Sequence, residues 1–167
     1  MAGQQDSNLS IVFSDSERGA LSIGPLYVDP ASPFRQADGA HNFIFGPITL
    51  VLLGGTRVVR ESGNGFDALR FPVFREDLRT LERERSGRVL MGDHDYGQLI
   101  ELLADGSDAI RVSFSVPVLD VWDLEVATID WHRIASMIDR IDAVERALGP
   151  LTGYCPTCRT PSATYQA

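Results

Sequence analysis

The chain has 167 residues, 44% of them hydrophobic and 23% charged, with a net charge of −8 at neutral pH. That length fits one domain with a core of its own, and the composition is that of an ordinary globular protein rather than a disordered chain. The acidic balance argues against nucleic acid as a partner, because phosphate binding needs a basic face. All fifteen basic residues are arginine, which points to a GC-rich genome; a halophile is the other reading, favoured by the excess of Asp over Glu but not by a net charge as modest as −8.

The first ten residues, MAGQQDSNLS, carry neither the basic nor the apolar stretch of a secretory signal. The longest apolar run, Phe43 to Leu53, is broken by Gly46-Pro47 and is too short to span a bilayer. The expected compartment is therefore the cytoplasm, with no membrane partner.

Residues 1–40 are the least regular part. IVF and LSIGPLYV offer short strands, and DPASPFRQADGAH is turn and loop material. The body begins near His41. HNFIFGPITLVLL reads as one long strand or two, with Gly46-Pro47 as a bulge or corner. TRVVRES offers a further strand, and GNG at 63–65 is a turn.

The first helix is PVFREDLRTLERERSG. Pro72 suits its first turn, where a missing N–H costs nothing. Phe74, Leu78 and Leu81 form one apolar stripe. Glu76 and Asp77 lie toward the positive end of the helix dipole, Arg83 and Arg85 toward the negative end. Gly87 is the expected stop.

Strands follow: RVLM, then YGQLIELLA, the turn DGSD, and AIRVSFSVPVL. In the last, Ile110, Val112, Phe114, Val116 and Val118 alternate with Arg111, Ser113, Ser115 and Pro117, so one face is buried and one is wet. WDLEVATI continues the pattern, with Trp122, Leu124 and Val126 inward and Asp123 and Glu125 outward. Asp130 is the N-cap of the final helix. Ile134, Met137, Ile138, Ile141 and Leu148 form its apolar face, Asp142 and Arg146 are spaced for an i,i+4 ion pair, and Gly149-Pro150 ends it.

The order strands, helix, strands, helix predicts an α+β fold: an antiparallel sheet with two amphipathic helices on its apolar side. A single domain covers residues 1–150, its first forty residues irregular, and residues 151–167 form a short tail.

The charge is uneven. Residues 93–130 hold nine acids and one arginine, Arg111, and so carry the entire −8. Residues 57–88 hold eight arginines against six acids. With Glu101, Asp105, Asp108, Asp120, Asp123 and Glu125 on the solvent face and rim of the sheet, that surface is a candidate for steering a cationic protein partner. The same charge also serves a surface that is merely well solvated.

Little else resembles chemistry. Cys155 and Cys158, in YCPTC, have the bite of one knuckle of a zinc ribbon. The second pair is missing, so zinc would need two of His41, His94 and His132, or a second copy of the chain in a homodimer. A redox pair would sit before a helix, whereas this one follows the last helix. An incidental knuckle, a zinc half-site and a redox pair all stay open, and the leading reading has no cofactor. Asp93, His94 and Asp95 are a candidate metal or general-base group, but adjacent extended residues alternate faces, which favours a polar turn. His132 falls in a helical first turn with no nucleophile beside it. No phosphate-binding loop, nucleophile elbow or zinc-protease helix is present in the sequence. The expected function is non-enzymatic.

From about Phe43 to Leu148 the chain resembles the WapI-type immunity proteins and related small actinobacterial proteins of unknown function. The residues that carry this are FIFGPITLVLL, the helix entry LRFPVFREDLRTLE, the hairpin LIELLADGSDAIRVSFSVPV and the terminal IDWHRIASMIDRIDAV. The resemblance implies a cytoplasmic protein that binds and neutralises a toxin domain; the localised acidic charge points to a basic one. It transfers no functional residues.

Overall fold

The computed structural model describes residues 9–28, 43–52, 57–60, 65–93, 97–116 and 121–148. Antiparallel strands and two helices make up these residues, as the α+β reading expects. Strands β1 (Ile11–Ser16) and β2 (Gly19–Ile23) form a hairpin within the segment that reads as irregular. Its apolar side chains Ile11, Phe13, Leu21 and Ile23 are fully buried. Ser14 is buried beside Phe13 because β1 bulges there, and its hydroxyl donates to the Gly19 carbonyl at 2.6 Å.

Gly46-Pro47 is the corner it promised to be. Strand β3 (Phe43–Phe45) ends before it and pairs with β6 (Gly65–Asp67) in a two-stranded ribbon. Strand β4 (Ile48–Leu52) begins after it and lies between β2 and β5 (Arg57–Arg60), giving a sheet ordered β1-β2-β4-β5. Proline has no N–H with which to continue a ladder, and the Pro47 carbonyl instead accepts the Gly24 N–H at 2.8 Å.

Helix α1 (Arg70–Glu84) follows. Pro72 falls in its first turn, among the N–H groups that have no helical acceptor. Phe71, Phe74, Leu78 and Leu81 are buried. Phe74 meets Phe13 of β1 with centroids 6.0 Å apart, and Phe71 meets Phe66 of β6 edge-on at 5.9 Å. Burying each phenylalanine is worth about 1.5–3 kcal/mol, so these contacts bind the helix to strands from two different sheets. The helix stops two residues before the expected Gly87. Arg85 takes the left-handed conformation at φ 57° and its N–H bonds the Leu81 carbonyl at 2.9 Å. Its guanidinium lies 4.5 Å from the ring centre of Trp131, a cation–π contact.

Strands β7 (Ser86–Asp93), β8 (Gly97–Asp105), β9 (Ile110–Val116) and β10 (Val121–Ile129) make a second sheet, an antiparallel meander ordered β10-β9-β8-β7. Val89, Met91, Ile100, Leu102, Ile110, Val112 and Phe114 all enter the core. Register shifts adjust the simple alternation. A register shift between Met91 and Gly92 leaves Leu99 and Ile100 both buried, and one between Glu125 and Ala127 leaves Val126 and Ala127 both buried.

Helix α2 (Trp131–Leu148) packs against α1 and β1. Asp130 caps it, its carboxylate accepting the Arg133 N–H at 3.1 Å. Ile134, Met137, Ile138, Ile141 and Val144 are buried, and Leu148 is half-buried against them. Arg133 also donates to Asp15 of β1 at 2.6 Å. The strands thus divide among three sheets that share one core with both helices. The first sheet comes close to the second at Gly19 of β2, where an added Cβ would fall 2.2 Å from the Val126 carbonyl oxygen of β10. Among the described residues no helix is long and apolar enough to cross a membrane.

Candidate partner-binding face

The face of the second sheet that turns from the core is built from two rows of cross-strand neighbours. Leu90, Glu101, Ser113 and Glu125 are paired in sequence across β7, β8, β9 and β10. Arg88, Leu103, Arg111 and Thr128 form the neighbouring row. Rows on one face are two residues apart, about 7 Å along the strand, so diagonal neighbours reach one another. Arg88 and Glu101 do so as an ion pair.

Four of the six candidate acids can be placed in detail. Glu125 is exposed on β10, and Glu101 is half-buried on β8 with Arg88 across it. Ser113 stands between the two glutamates, which puts their strands about 10 Å apart. Asp105 and Asp108 are exposed at the β8–β9 hairpin, beyond the end of the rows. There the Ser107 N–H donates to the Asp105 carboxylate at 3.1 Å. Hydrogen bonds from the Ser107 side chain first, and from its backbone second, hold the Asp105 carboxyl below its ordinary range. Gly106, at φ 89°, supplies the left-handed residue this turn needs. Asp120 and the side chain of Asp123 lie outside the described residues, as do Asp95, His41, His94, Cys155 and Cys158.

The described part of this face is mixed in sign. Strand pairing brings Arg88, from the arginine-rich stretch, beside Glu101, and Arg111 is exposed in the same row as Arg88. Two arginines therefore accompany two glutamates on the strands, while Asp105 and Asp108 add negative charge at the hairpin. Linear charge counting misses Arg88 here, because its neighbours in space are fixed by the β7–β8 register. The missing signal was the period-two alternation of Arg88 and Leu90 against buried Val89 and Met91.

A shallow depression of about 120 Å³ opens along the Leu90, Glu101 and Ser113 row, lined also by Arg88, Leu99, Ile100, Phe114 and Ser115. Pockets that hold small molecules measure about 300–1,000 Å³, and this one is smaller. Among the described residues no three metal-ligating side chains converge. His132 is exposed in the first turn of α2.

A second charged group lies between the helices. Arg75 Nη1 of α1 donates to Asp142 Oδ1 and to Glu145 Oε2 of α2, both at 2.6 Å. Arg79 also reaches Asp142 at 3.9 Å and Glu76 at 2.6 Å. Burial opposes the charge on Arg75, but the bonds to Asp142 and Glu145 outweigh it and raise its pKa. Arg146, the expected helical partner of Asp142, is exposed instead. This cluster joins the two helices.

No family model, curated protein or solved structure matches the chain.

Proposed function

We propose that this protein is a non-enzymatic binding protein, an immunity protein that neutralises a cationic toxin domain. The partner docks on the outer face of β7–β10 and on the β8–β9 hairpin. The observation that carries the reading is Glu125, exposed on that face with Asp105 and Asp108 at its rim, on a sheet whose other face is already committed to the core. A partner's basic side chain gains an unoccupied carboxylate at Glu125, and the depression beside Ser113 and Ser115 receives an adjacent aliphatic or polar group. The Arg88–Glu101 pair fixes orientation more than affinity, since its Coulomb energy is largely spent within the protein. Asp105 and Asp108 at the hairpin add negative field there, which speeds the approach of a cationic partner.

The reading also draws on the resemblance to WapI-type immunity proteins and on the lack of a catalytic motif in the sequence. Affinity capture from the native cell at low salt, followed by mass identification, tests it. Recovery of a basic toxin domain that dissociates as salt rises is expected. Specific recovery of acidic or neutral proteins, indifferent to salt, contradicts it.

A further inference from the structure

We draw no further inference here: the strongest candidate, the shallow depression on the outer face of β7–β9 between Arg88, Leu90, Leu99, Glu101, Ser113 and Ser115, belongs to the surface already proposed for partner docking, and nothing in the structure shows what covers it.

Discussion

Arg75 Nη1 lies 2.6 Å from Asp142 Oδ1, joining the middle of α1 to the last turns of α2. The same nitrogen reaches Glu145 at 2.6 Å, and the Arg75 side chain is only 18% exposed. Its Nε is buried without a hydrogen-bond partner, so the arrangement is directed at the two carboxylates rather than evenly satisfied. Removing the guanidinium leaves two carboxylates facing each other in partial burial. Arg75→Met is expected to cost about 1–3 kcal/mol in denaturant unfolding. The same change in an Asp142→Asn, Glu145→Gln background should cost less, because no charge is then stranded. Equal costs in both backgrounds would show that Arg75 acts through packing alone.

Asp77, on the same helix, has its pKa raised by burial, against the attraction of Arg70. The folded protein therefore holds this proton more tightly than the unfolded chain. Stability from this group is present below the ordinary carboxylate pKa and is lost as pH rises through the raised one. Asp77→Asn should raise Tm at pH 7, and the advantage should disappear on acidification past the ordinary carboxylate range. A Tm at pH 7 that falls on this substitution would mean that attraction to Arg70 outweighs desolvation.

Arg85 occupies a left-handed conformation that favours glycine, and it covers Trp131 at 4.5 Å. Arg85→Ala loses the cation–π contact and keeps the backbone strain. Arg85→Gly loses the contact and relieves the strain. The glycine variant should therefore be the more stable of the two by about 1 kcal/mol, and both should shift the tryptophan emission. An alanine variant as stable as the glycine one contradicts the cap geometry.

Gly19 marks a close approach of the β1–β2 hairpin to β10. The atom that a new Cβ would meet is a backbone carbonyl oxygen, that of Val126, at 2.2 Å, so no side-chain rotation relieves the clash. Gly19→Ala should destabilise by about 1–3 kcal/mol. Unchanged stability in chemical denaturation would mean that the hairpin and β10 separate without cost.

What the sequence made legible was local. The buried faces of both helices follow from 3.6-residue spacing, the cap at Asp130 from its residue type, and the wet face of β9 from the alternation of Ile110, Val112 and Phe114 with Arg111 and Ser113. What it hid depends on pairing across distance. Nothing local tells Asp142 to choose Arg75 over Arg146, since the 67-residue separation is closed only by helix packing. IVF is legible as a short strand, but the burial of Phe13 against Phe74 of α1 depends on a helix that arrives about sixty residues later. The helix ends at Arg85 rather than Gly87, with the Arg85 guanidinium over the Trp131 ring, a neighbour that local sequence does not reveal. At the candidate face, composition located the carboxylates of β8, of the β8–β9 hairpin and of β10 and missed Arg88, which joins them through the β7–β8 register.

The central claim is that carboxylates around the outer sheet face hold a cationic partner. The most direct measurement is the affinity of the captured partner for the full chain and for a variant carrying Asp108→Asn, Asp120→Asn, Asp123→Asn and Glu125→Gln, titrated across salt, with melting curves confirming that the variant folds. The account predicts binding at least about tenfold weaker at low salt and a shallower salt dependence. An affinity and salt slope identical to those of the unmodified chain would contradict it.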